Sequence, residues 1–125
     1  MSFILLTGEH VIAIHDEVLE PSELQGMAGD KSLEGALSRV DNRLKYGLID
    51  DIYSLAASYA VAISQAHCFN DGNKRTAFQV MDLILDLNGI NVIWDVEAVG
   101  QKIVLLSQSK LDEADLTQWL RQAVV

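Results

Sequence analysis

Apolar residues recur at helical spacing along most of this chain, and the breaks between the runs are short. Val11, Ile14 and Val18 predict a first helix from about Thr7 or Gly8 to Leu19, with Pro21 just beyond its end. Residues 22–31, with Gly26 and Gly29, read as a loop. Ser32 then precedes a short helix carrying Leu33, Ala36, Leu37 and Val40. Asp50 and Asp51 open the next helix, where negative charge suits the positive end of the helix dipole. There Ile52, Leu55, Ala56, Tyr59, Ala60 and Ile63 form one face, while Ala57 and Val61 make the opposite face apolar too. A helix apolar nearly all round belongs at the centre of a bundle, and this one is expected to end near Ala66 or His67.

A second central helix is predicted from Asn73 to Leu87. Phe78, Met81, Ile84 and Leu85 form its buried stripe, Val80 and Leu87 lie beside it, and Asn88-Gly89 is its stop signal. Ile90 to Trp94 is short and β-branched enough to be extended. Two further helices are expected over about Asp95–Ser107 and Asp112–Ala123. The expected fold class is all-α: a compact helical bundle with at most a small β element.

A chain of 125 residues fits a single domain over 1–125, with half its residues hydrophobic and no internal repeat or low-complexity linker. Acidic residues outnumber basic ones by 18 to 9, so general binding to phosphate backbones is disfavoured and no direct nucleic-acid partner is expected. Against that background the pair Lys74-Arg75 stands out. Cys68 is the one cysteine, which excludes an internal disulfide and any CxxC pair for zinc or redox work. The apolar opening Met1–Leu6 is too short for a signal peptide, and no run reaches the roughly 18–20 apolar residues of a membrane span. A cytoplasmic protein without a membrane partner is expected.

Between the two most hydrophobic helices lies the polar segment His67-Cys68-Phe69-Asn70-Asp71-Gly72-Asn73-Lys74-Arg75. A helix starting near Asn73 leaves backbone N–H groups unpaired, and with the dipole these make an anion site. Gly72 can adopt the left-handed conformation of a tight turn and lets a ligand approach the backbone. Lys74 and Arg75 add positive charge where phosphates would sit. Asp71 offers a hard oxygen to Mg²⁺, and His67 titrates near neutrality and can take a proton from a hydroxyl. Phe69 can pin the loop into the core. Each residue also has an ordinary use, since Asp71 or Asn73 can be a plain helix cap and a histidine at a helix end is commonly structural. Lys and Arg in a first turn, by contrast, are disfavoured by the dipole and call for a reason.

The segment resembles the Fic/Doc motif HxFx(D/E)(G/A)N(G/K)R, whose fixed positions are met by His67, Phe69, Asp71, Gly72, Asn73, Lys74 and Arg75. Thr76-Ala77, Leu87-Asn88-Gly89 and, upstream, Ile14-His15-Asp16, Gly26-Met27, Glu34-Gly35-Ala36-Leu37 and Arg39-Val40 extend the resemblance over roughly residues 10–94. It implies a Fic-type helical fold that transfers part of a nucleotide to a protein hydroxyl. His67 would be the general base and Asp71 the Mg²⁺ ligand. Gly72, Asn73, Lys74 and Arg75 would hold the phosphates of ATP, and Phe69 would anchor the loop. Most Fic enzymes carry glycine at the position of Lys74 and transfer AMP. Doc-type members carry lysine, and the resemblance to them implies a toxin of a type II toxin–antitoxin system. Such a toxin moves a phosphoryl group from ATP to a threonine or serine hydroxyl, with elongation factor Tu as the expected target and translation as the process stopped. A Phd-like antitoxin peptide is the implied partner. AMP transfer, or a phosphate-binding partner without catalysis, are the competing functions.

The self-inhibitory pattern (S/T)xxxE(G/N) of other Fic enzymes is missing, since Asp30 stands where Glu34-Gly35 would require Ser or Thr. Inhibition in trans is therefore expected. Cys68 replaces a common proline and reads as a small hydrophobe, and Gln65 stands where some relatives are basic. His15 reads as structural, and Trp94 and Trp119 as packing residues.

Overall fold

A computed structural model describes residues 3–23, 26, 33–66, 69 and 71–123. Among them the chain forms six helices: α1 (Gly8–Val18), α2 (Leu33–Lys45), α3 (Ile52–Ala66), α4 (Asn73–Leu87), α5 (Val96–Ser107) and α6 (Glu113–Ala123). The all-α class expected from the spacing is the class observed, apart from a single bridge position at Phe69. No helix among the described residues is long and apolar enough to cross a membrane.

α3 is the axis of the bundle. Every residue from Ser54 to Ser64 is buried, and α2, α4, α5 and α6 all pack on it. Three of its alanines, Ala56, Ala57 and Ala60, are fully buried and leave room for neighbours to close in. Leu55 and Ile63 are buried completely, and each such side chain contributes roughly 1.5–3 kcal/mol by leaving water. Asp51 and Ser54 start the helix as a reciprocal cap. Asp51 Oδ1 accepts from the Ser54 N–H at 2.9 Å, and Ser54 Oγ accepts from the Asp51 N–H at 3.0 Å.

α4 crosses α3 and also touches α1 and α5. Its buried stripe is Ala77, Val80, Met81, Ile84 and Leu85, the i, i+3, i+4, i+7, i+8 face. Met81, Ile84 and Leu85 are buried as expected, and Ala77 and Val80 complete the stripe in place of Phe78. Phe78 is only half-buried, and Leu87, in the last turn, is 38 % exposed. Beyond it Gly89 takes a φ of 88° and ends the helix as its sequence predicted. Asn88 then ties this end to the start of the chain, accepting from the Ile4 N–H at 2.8 Å and donating to the Ile4 carbonyl at 3.1 Å.

One expectation is corrected: the second helix is not short but runs for 13 residues to Lys45. Residues 90–94 belong to neither a helix nor a strand, and Ile93 is 81 % exposed. Trp94 packs instead, its indole N–H donating to Asp82 Oδ1 at 2.8 Å and its ring lying 6.2 Å from that of Trp119.

Candidate functional site

α4 begins differently from its neighbours. Side chains cap the start of α1 (Thr7), α3 (Asp51), α5 (Asp95) and α6 (Asp112). The cap position of α4 is Gly72, which has no side chain to offer and a left-handed φ of 82°. The first bond inside α4 runs from the Thr76 N–H to the Gly72 carbonyl at 3.0 Å. That leaves the N–H groups of Asn73, Lys74 and Arg75 without a partner inside the helix, which is the arrangement that receives anions. A cleft of about 170 Å³ opens over this end, bordered by Glu23, Asp71, Gly72, Asn73, Lys74 and Arg75.

The loop feeding the cleft is held from three sides. Phe69 is buried at 3 % exposure, the anchor its position in the sequence predicted. Asn73 Nδ2 donates to the Phe69 carbonyl at 2.9 Å and Asn73 Oδ1 accepts from the Phe69 N–H at 3.1 Å. His15 stacks on the Phe69 ring, with centroids 3.8 Å apart and planes 7° from parallel, and its Nε2 lies 2.7 Å from the Asp71 carbonyl oxygen.

Of the residues singled out by sequence, Asp71, Gly72, Asn73, Lys74 and Arg75 therefore line one cleft. His67, Cys68 and Asn70 lie outside the described residues. Lys74 is exposed and makes no ion pair among the described residues. Arg75 is not free: Glu23 pairs with it closely, and Glu20 stands 3.7 Å away. Among the described residues no cluster of three or more histidine, cysteine, aspartate or glutamate side chains is arranged to hold a metal by itself. Asp71 borders the cleft and could hold Mg²⁺, an ion commonly held by one or two carboxylates plus substrate phosphates, whereas the Glu23 carboxylate is engaged by Arg75.

Lys74 and Arg75 face a second hollow as well. An apolar groove of about 360 Å³ runs between α1, α4 and α5, walled by Val18, Phe78, Val96, Val99, Ile103 and Val104, with Lys74 and Arg75 at its rim. Val96 is 79 % exposed and Val104 40 %, so this apolar wall faces solvent.

The model of the Fic/DOC family matches residues 5–85, from before α1 through most of α4 and including the whole cleft. The chain belongs to the Fic/DOC family. It is also similar to protein kinase doc of Escherichia phage P1, at 38 % identity over 88 residues covering 70 % of each chain. The Fic/DOC match ends at residue 85, so α5, which supplies most of the groove's apolar wall, lies beyond it.

Two features of this Fic/DOC site were not found from sequence. The Glu20 and Glu23 pairing with Arg75 spans 52 positions to Glu23 and leaves no periodic trace. His15 does carry a weak signal. It lies four positions after Val11 on the inner face of α1, so its near-complete burial was readable. What it touches was not.

Proposed function

We propose that this Fic/DOC protein transfers the γ-phosphoryl group of ATP to a threonine or serine hydroxyl of a protein. It would act as the toxin of a toxin–antitoxin pair, with elongation factor Tu as its target. The observation that carries this reading is Lys74 at the uncapped, left-handed start of α4, on the border of the phosphate-sized cleft. The likeness to a relative named a protein kinase supports it.

The chemistry divides among named groups. The N–H groups of Asn73, Lys74 and Arg75, with the Lys74 and Arg75 side chains, hold phosphate oxygens and offset their charge. Asp71, on the border of the cleft, would hold Mg²⁺, which supplies charge neutralisation to the phosphates when bound. A lysine at position 74, where AMP-transferring relatives have glycine, fills the opening with a cation. The nucleotide then sits with its γ-phosphate toward the target. His67 takes the hydroxyl proton as the oxygen bonds to the γ-phosphorus. The bond to the bridging β–γ oxygen breaks and ADP leaves. Transfer of this kind needs mainly positioning and charge stabilisation.

The apolar groove beside Lys74 is the proposed seat of a helical Phd-like antitoxin segment, which would lay apolar residues at i, i+3, i+4 and i+7 against α4 and α5. Inhibition would then be supplied in trans.

The deciding experiment incubates the protein with Mg²⁺, elongation factor Tu and ATP labelled at the γ or the α position, followed by mass spectrometry of the target. A gain of one phosphate, abolished by His67→Ala, is expected. A gain of one AMP would make the protein an AMP transferase. No gain on any protein of a cell extract would leave a phosphate-binding partner.

A further inference from the structure

His15 lies outside the motif, 56 positions before Asp71, yet one face and one edge of its ring touch three features of the motif turn. Its plane stacks on Phe69 at 3.8 Å. Its Nε2 is 2.7 Å from the carbonyl oxygen of Asp71. Its Nε2 and Cδ2 atoms would stand 3.4 Å from a Cβ placed on Gly72. Asp16 Oδ1 lies 3.2 Å from the other ring nitrogen.

The ring is 1 % exposed, and burying an imidazole costs free energy unless its polar atoms are hydrogen-bonded. A leucine or phenylalanine would fill the same space without that cost. One ring nitrogen faces Asp16 of its own helix, and the other, Nε2, reaches the motif's backbone at the shorter distance of 2.7 Å. A carbonyl oxygen can only accept, so Nε2 carries the proton in this contact. The stack on Phe69 fixes the plane of the ring, and the donor cannot swing away from Asp71 without breaking the stack. The peptide so held joins Asp71, which lines the cleft, to Gly72, whose left-handed turn starts α4.

We infer that His15 is a positioning residue for phosphoryl transfer: it fixes the Asp71–Gly72 peptide, and through it the place of the Asp71 carboxylate and of the N–H groups opening α4. The inference rests on the proposed function of the cleft, but the hydrogen bond it invokes can be tested without catalysis.

Two variants separate the donor from the filler. His15→Phe keeps a ring on Phe69 and removes the donor. His15→Gln gives up the ring and keeps a nitrogen donor at a similar reach. Each is measured for thermal unfolding, for kcat and KM with labelled ATP, and for hydrogen exchange of the Gly72, Asn73 and Lys74 amides. In a folded His15→Phe protein, exchange at these amides should accelerate, and kcat should fall by on the order of 10²-fold with KM for ATP changed far less. His15→Gln should recover most of that loss and exchange like the wild type. Unchanged exchange in a folded His15→Phe protein, or equal losses of kcat in the two variants, would overturn the inference. If His15→Phe does not fold, His15→Gln decides alone, and accelerated exchange there overturns it. A wild-type protein that transfers nothing overturns the phosphoryl-transfer reading only, and the exchange result still decides the role of His15.

Discussion

Asn73 grips the backbone of Phe69 at two points, its Nδ2 donating to the carbonyl at 2.9 Å and its Oδ1 accepting from the N–H at 3.1 Å. The motif resemblance places Asn73 among the phosphate-holding residues, but its side chain is already engaged in closing the loop. What it has to offer an anion is its backbone N–H. Asn73→Ala should therefore lower stability, by about 1–3 kcal/mol for a half-buried peptide left without its partners. It should abolish transfer as well. Denaturant titration checks the first effect and labelled ATP the second. A variant with wild-type stability and only a raised KM would return Asn73 to direct ligand binding.

Glu23 competes for Arg75 with whatever anion enters the cleft. Glu23→Gln should leave stability within about 1 kcal/mol of wild type, since partly exposed pairs are worth little. It should tighten ATP binding by a fewfold, because one negative charge has left an anion site. Isothermal titration with and without Mg²⁺ reads both. Weaker binding confined to the Mg²⁺ series would instead make Glu23 a metal ligand.

Gly72 holds a φ of 82° with Leu19 Cδ1 3.3 Å from a Cβ placed there. The left-handed conformation costs a residue with a Cβ roughly 1–2 kcal/mol, and a small relaxation of Leu19 admits a methyl group. Gly72→Ala is thus expected to fold and to keep activity at a modest loss of stability. Gly72→Val, branched at Cβ, should lose far more of both. Melting curves and transfer rates of the pair test this, and equal tolerance of Val and Ala would contradict the geometry.

Acid should reveal the cap of α3. Burial pushes the Asp51 carboxyl up, but the Ser54 N–H and the Arg121 guanidinium outweigh it and hold the group below its ordinary 3.8. A depressed folded-state value means the unfolded chain binds the proton more readily. The stabilisation is thus fully present above 3.8 and is lost as pH falls through the lower folded value. Asp51→Asn should be less stable than wild type at neutral pH, and the two should converge as pH falls below 3.8. Denaturation midpoints across that range are the measurement, and a gap that ignores pH would refute the assignment.

Much of this site was readable because its determinants are local. The bounds of α4 follow from Gly72 at one end and Asn88-Gly89 at the other, and the burial of α3 on all sides follows from the lack of a polar face between Ser54 and Ser64. The contacts that set the loop are different in kind. His15 meets Asp71 across 56 positions, and Arg75 meets Glu23 across 52. Each depends on how helices cross, which periodicity does not encode. The half-burial of Phe78 has the same origin. Counting from Phe78 treats the helix alone, whereas the packing against α3 and α1 buries Ala77 instead.

Lys74 and Arg75 stand on the ridge between the polar cleft and the apolar groove and belong to the wall of both. Two hollows that share a wall have a means of influencing each other. A guest in one that shifts these two side chains alters the free energy of filling the other, and thermodynamics makes the influence mutual and equal in size. Nucleotide occupancy and capture of a partner in the groove would thus report on each other, with one turn of helix as the lever between them.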